Sequence, residues 1–363
     1  MKVTFLLPNI HLRGGARTVL VYSDLLTALG ADVTIVFPTR LKRLPFPINE
    51  IEYLWRAPQK LLFGRWFSTR ARVLAVPSLE SRYVPRADVV VATAWQTAEY
   101  ASCYPADRGE KHYFIQDIET YASGEAAGRT YSLPFRKIVD SPWVRECLKS
   151  RFGQDVWSLV PHGVDLELYR PVSQEARGAV VTVGMLLSKE RRKGSDVALA
   201  VIERLKREGL RFDLVCMGVT REHPPVPDGT RLLWRLRPEE TPRIYAQAHV
   251  WICPSRGDGM PLPPMEAMAS GCALVTTRVG GTSYYAIPER TALVCEPGDQ
   301  DDLYRAIKRI IEDRDLRLRL SEQGASRIRG LDLSISARNL FTALSGKQVF
   351  VEPDTGLLET HCD

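Results

Sequence analysis

No stretch of this sequence approaches the roughly 18–20 consecutive apolar residues that a membrane-spanning helix needs, and no cysteine stands in a CxxC or Cys/His spacing. The first absence argues against a spanning helix within these residues. The second argues against structural zinc, and seven scattered cysteines fit a reducing cytoplasm. The opening MKVTFLLPNI is too soon interrupted for a signal peptide and reads as a first buried strand. No complete GxGxxG appears, which weighs against a dinucleotide-dependent oxidoreductase. No recognised RNA or DNA motif accompanies the basic residues, so no nucleic-acid partner is expected.

What is present is an ordinary globular composition. The 363 residues are 45% hydrophobic and 25% charged, enough for two domains of usual size. A net charge of +6 favours anionic partners, nucleotide phosphates or an acidic membrane surface, without choosing between them. Strand-length apolar runs alternate with helical periodicity, as in an α/β chain with parallel sheets.

One stretch organises the rest. Val250 to Gly281 parses as strand (VWIC), loop (PSRGDGMPLPP), helix (MEAMAS) and strand (ALVTT), with Gly271 placed to close the helix. In a parallel sheet such a loop lies outside the carboxyl ends of the strands, where ligands bind. The helix start is expected to offer unpaired N–H groups to a phosphate. Two carboxylates frame it: Asp258 on the loop, and Glu266 in the expected first helical turn.

The segment from Asp258 to Glu266 resembles the Glu-x7-Glu signature of the retaining GT-B glycosyltransferases of family 4. The resemblance implies two Rossmann-like doubly wound domains facing across a cleft. It also implies transfer of a sugar from a nucleotide-sugar to a hydroxyl of a saccharide or lipid-linked glycan, with retention of configuration. By the same likeness Glu266 holds the ribose hydroxyls and Asp258 faces the transferred sugar. Asp258 replaces the usual Glu, and Pro261 stands where the family has Gly, which removes one amide and leaves those of Gly259, Met260 and Leu262. The family writes GR…KG after the first strand of its second domain, Arg and Lys clamping the diphosphate. Here Lys193-Gly194 match, the Arg position is Met185, and Arg191 and Arg192 are the nearest replacements. Trp234 occupies a usual glycine near the nucleotide base, where it would stack on the base or simply be buried.

The N-terminal half carries weaker signals. Gly14-Gly15 sit at a helix entrance after the first strand, where the family's GG loop meets the donor. Gln116-Asp117-Ile118-Glu119 ends another strand and resembles a rhamnosyltransferase-like subgroup; Asp117 and Glu119 would point to opposite sides if the strand continued. Between Phe37 and Arg72, eight basic residues stand against Glu50 and Glu52, interleaved with aromatics. That segment reads either as a contact for anionic lipid headgroups or as a solvated face.

PHGVDLELYRP resembles the family linker. The expected division is an acceptor domain over 1–168, a donor domain over 169–330, a returning helix over 331–345 and a tail over 346–363. Asp299-x-Asp301 has metal-nucleotide spacing but precedes a helix, so the acids are expected to cap it and no metal or other cofactor is expected. The expected function is metal-independent glycosyl transfer in polysaccharide biosynthesis, in the cytoplasm or peripherally on the membrane. Asp258, Lys193 and Asp117 are the expected catalytic residues. The rival from another class is a noncatalytic GT-B-like scaffold subunit, supported by the Met185 and Pro261 departures.

Overall fold

The computed structural model describes all residues except 11–13, 42–52, 55–56, 59–67, 120–123, 219–222 and 353–363. The chain divides into two compact units, Met1–Pro161 with Ser334–Glu352, and His162–Leu333.

The first unit holds a seven-stranded sheet. Its strands are β1 (Lys2–Leu6), β2 (Asp32–Pro38), β3 (Arg72–Val76), β4 (Val89–Ala92), β5 (Glu110–Ile115), β6 (Arg136–Val139) and β7 (Ser158–Leu159). Their order is β3-β2-β1-β4-β5-β6-β7, every pairing parallel. The second unit repeats the plan with β8 (Thr182–Leu187), β9 (Asp213–Gly218), β10 (Arg231–Trp234), β11 (Val250–Cys253), β12 (Ala273–Thr277) and β13 (Ala292–Cys295). Their order is β10-β9-β8-β11-β12-β13, again all parallel.

The reason is visible in the strands. VVVA of β4 and ALVTT of β12 are buried along their whole length, as strands covered by helices on both faces must be. Each sheet reverses direction of growth at one point, beside β1 and β4 in the first unit and beside β8 and β11 in the second. Ligands of such sheets bind outside the carboxyl ends of the strands at that reversal.

Several boundaries differ from expectation. The first helix spans Gly14–Ala28, so the glycine pair lies within it rather than at its entrance. The expected tail is partly paired: Leu159 N–H donates to Val349 O (2.8 Å) and Val351 N–H to Leu159 O (3.1 Å), extending the pairing beyond β7. Most of the basic-aromatic segment lies outside the described residues. No helix among the described residues is long and apolar enough to cross a membrane.

Candidate functional site

In the second unit the loops after β8 and β11 meet at the sheet reversal, and glycine is why they approach so closely. Gly194 adopts φ +68°, and a Cβ there would lie 1.8 Å from Pro254 O. Gly280, at φ +47°, would place a Cβ 1.7 Å from Asp258 O. Any side chain at either position would push the loops apart. The neighbouring Gly281 N–H donates to Gly259 O. From β12, Thr277 Oγ1 donates to Ser255 O (2.5 Å) and Thr276 Oγ1 to Cys253 O (3.2 Å). Tyr285 Oη reaches Pro261 O at 3.4 Å from beneath. The loop is thus fixed by backbone and hydroxyl contacts, without the freedom its glycine-rich composition implies.

The packing brings Lys193 and Asp258 together, Nζ to Oδ2 at 2.5 Å. Arg192 lies 3.7 Å from Asp258 and donates to Glu190 at 3.0 Å. Arg191 is exposed. Arg256, which the sequence reading passed over, makes two 2.8 Å bonds to Asp196, holding that carboxyl below its usual range and its own guanidinium pKa raised. Met185, where the resemblance puts the family's Arg, lies inside β8, 0% exposed, in the core cluster with Val183, Leu187 and Ile252, and supplies no charge to the site.

Gly259 and Met260 are buried at the loop's end, followed by the helix Leu262–Ala269. Glu266 is the fifth residue of that helix and opens its second turn, not its first, because Pro261 caps the helix. A second correction concerns the expected amide cradle. Pro263 and Pro264 carry no N–H, so the first helical turn presents little beyond the Leu262 amide. Glu266 is only 5% exposed and accepts from Tyr245 Oη at 2.9 Å. Tyr245 is wholly buried and packs edge-on against Trp251, centroids 4.6 Å apart. Its carbonyl accepts from Arg177 at 2.9 Å, and Arg177 also bonds Val172 O and Ser270 O. One guanidinium therefore ties the ends of the Tyr245 and Glu266 helices together. No local pattern announces this, since the partners lie 21 and 68 residues apart.

Burial first, then the Asp258 charge, pushes the Cys253 thiol up, so it stays neutral beside the ion pair. Burial likewise holds the Tyr285 phenol well above its ordinary value. Trp234 ends β10 half-buried, its ring over Gly218 and stacked on His223 at 4.8 Å. Asp299 caps the helix Gln300–Glu312, accepting from Asp302 N–H at 2.9 Å, and Asp301 pairs with Arg204. Among the described residues no group of three or more His, Cys, Asp or Glu side chains is placed to hold a metal ion.

Gly14, Gly15 and Asp117 belong to the first unit. Gly15 opens the first helix beside Gln116, whose Oε1 would lie 3.8 Å from a Cβ there. The strand stops at Ile115, so strand alternation does not govern Asp117 and Glu119. Asp117 turns back to accept from Ile118 N–H at 2.9 Å. Glu119 accepts from Trp95 N–H at 2.8 Å, at the start of the helix Trp95–Ser102, and its own N–H donates to Tyr131 Oη at 2.9 Å. Burial raises the Glu119 carboxyl to about 7 despite that backbone bond.

Comparison with known proteins agrees with this geometry. Residues 177–313 match the family model described as glycosyl transferases group 1. A lipopolysaccharide core biosynthesis mannosyltransferase of Rhizobium leguminosarum is 27% identical over 191 residues, 47% of this chain and 54% of that protein. An MMP alpha-(1->4)-mannosyltransferase of Mycolicibacterium hassiacum is 30% identical over 182 residues, 47% of this chain and 43% of that one. The chain spans about half the length of the curated relatives it matches. Among solved structures, sucrose-phosphate synthase of Thermosynechococcus elongatus superposes with TM-score 0.73 at 17% identity, covering 95% of this chain and 98% of that one. Anabaena HepE in complex with UDP superposes at 0.72 and 13% identity, covering 96% and 100%. The family match covers residues 177–313 of the second unit and the fold match covers both units: the chain has the GT-B fold, and its second unit is similar to the group 1 glycosyl transferases.

Proposed function

We propose that the protein transfers a sugar from a nucleotide-sugar to a hydroxyl of a saccharide or lipid-linked glycan, with retention and without a metal ion. The observation that carries the reading is the Lys193–Asp258 contact between the loops that follow β8 and β11, with Glu266 on the helix that follows the second of these loops. In this reaction the bond from the anomeric carbon to the diphosphate breaks, and a bond to the acceptor oxygen forms. The acceptor proton passes to a phosphate oxygen. The protein's task is then to stabilise charge that grows on the leaving diphosphate. Lys193 takes that charge, with the Gly259, Met260 and Leu262 amides and with Arg191 or Arg192 beside it. Glu266, its rotamer set by Tyr245, accepts the ribose hydroxyls, and Asp258 faces the sugar. Trp234 borders the base, and Gly14, Gly15 and Asp117 act from the first unit. The relative named for lipopolysaccharide core biosynthesis supports a glycan acceptor, and a peripheral place on the inner face of the membrane is part of the same proposal.

Incubation of the purified chain with UDP-, GDP- and ADP-sugars tests the reading. One of them should slowly release its nucleoside diphosphate, and Lys193→Ala should slow the release roughly ten- to a hundredfold. A folded protein that binds a donor yet never cleaves it, with or without glycan acceptors, would be the scaffold.

A further inference from the structure

Two side chains that the proposed function sends to different parts of the donor are bound to each other. The Lys193–Asp258 pair is 2.5 Å long, and its side chains are only 23% and 13% exposed. The rest of the cluster is paired off too. Arg192 lies between Glu190 and Asp258, and Arg256 is held by both oxygens of Asp196. Within this loop cluster Lys189 and Arg191 are the cations that stand exposed to solvent. Glu190, Asp196 and Asp258 offset three of the five charges of Lys189, Arg191, Arg192, Lys193 and Arg256. Lys193 itself is among the cations held by a carboxylate.

A carboxylate that close occupies one of the three donors of the ammonium and cancels its charge where water screens poorly. A phosphate oxygen arriving at Lys193 must displace Asp258 or sit beside it as a like charge. We propose that Asp258 sets the affinity of the site by competing with the donor phosphate for Lys193, and that the pair opens when donor binds. Opening frees the Asp258 carboxylate for the sugar. Unproductive binding of the spent nucleoside diphosphate is weakened by the same competition, because the pair re-forms once the sugar has left. The inference rests on Lys193 being the phosphate cation.

The idea has a signature that a structural role lacks, because its effects carry opposite signs. Asp258→Asn leaves Lys193 as an uncompensated, largely shielded cation, which lowers fold stability. The same change should tighten a diphosphate and slow transfer. Isothermal titration of the full chain with UDP, GDP and ADP, each with its parent nucleoside as control, tests this. The diphosphate that binds the natural protein should bind Asp258→Asn about tenfold more tightly, with nucleoside affinity unchanged. Asp258→Ala serves as a second charge-removing variant should the first fail to fold. Equal or weaker diphosphate binding by the folded variants, while Lys193→Ala loses affinity, would overturn the inference and leave the proposed function standing. If Lys193→Ala binds as well as the natural protein, or none of the three diphosphates binds at all, the phosphate role of Lys193 falls and the inference with it.

Discussion

The two units share a strand order yet differ at the carboxyl ends of their sheets. In the second, the loops after β8 and β11 hold Arg191, Arg192, Lys193 and Arg256 against Glu190, Asp196 and Asp258, locked by Gly194 and Gly280. In the first, the corresponding region holds the Gly14-Gly15 helix start, the Gln116 amide, the half-buried Glu119, lifted to about 7, and the buried Asp140 after β6. One end crowds cations against carboxylates; the other sets a glycine-opened helix beside an amide and an acid whose ionisation burial opposes. Parallel α/β topology supplies a site in both units; what each binds is decided by a few loop residues.

The sharpest way to break this comparison is to discharge the second unit. Lys193→Ala should slow donor turnover roughly ten- to a hundredfold, since a charge-assisted bond contributes about 1.5–3 kcal/mol. The loss should appear mainly in kcat, because phosphate charge grows as the sugar bond breaks. Normal turnover in a folded Lys193→Ala protein would remove the distinction between the two units.

A smaller effect is expected from the flanking arginines. Arg191→Ala with Arg192→Ala should cost about tenfold in turnover, less than Lys193, because Arg192 is already shared between Glu190 and Asp258. If the double variant equals the natural enzyme while Lys193→Ala is crippled, the run is a solvated loop.

Tyr245→Phe sharpens the role of Glu266. Removing the 2.9 Å bond leaves the buried carboxylate short of a donor, so nucleoside diphosphate affinity should fall roughly three- to tenfold with kcat nearly constant. A fall in Tm with unchanged affinity would make Tyr245 purely a packing residue.

The smallest effect probes the first unit. Glu119 has a folded pKa near 7, above its unfolded value. Its protonated form therefore suits the fold, and that contribution is present below the unfolded pKa and lost as pH rises towards and through 7. The shift is equivalent to about 3–3.5 kcal/mol at most. Glu119→Gln should gain stability relative to the natural protein between pH 5 and pH 8, read as a Tm difference that widens with pH. A constant difference would mean that Glu119 is ionised throughout.

Legibility in the sequence followed the same division. The segment from Asp258 to Glu266 announced a strand, loop and helix because Gly, Pro and acidic residues punctuate it at short range. Lys193-Gly194 was readable for the same reason. The Tyr245–Glu266 bond and the Arg177 tie were not, since they join residues far apart in sequence through packing alone. The missing cation at Met185 was readable, but that its side chain turns inward is revealed only by the pleat of β8. Glu119 was paired with Asp117 on the assumption of a continuing strand, whereas the chain turns after Ile115 and burial raises the Glu119 carboxyl.

Calorimetric titration of UDP, GDP and ADP into the natural protein and into Glu266→Ala tests most directly whether the second unit is a nucleotide-sugar site. One diphosphate should bind the natural protein, and the folded variant should bind it about a hundredfold more weakly, as expected for losing two charge-assisted hydroxyl bonds from a buried carboxylate. Equal affinity for that diphosphate in the two proteins would contradict the assignment of this site.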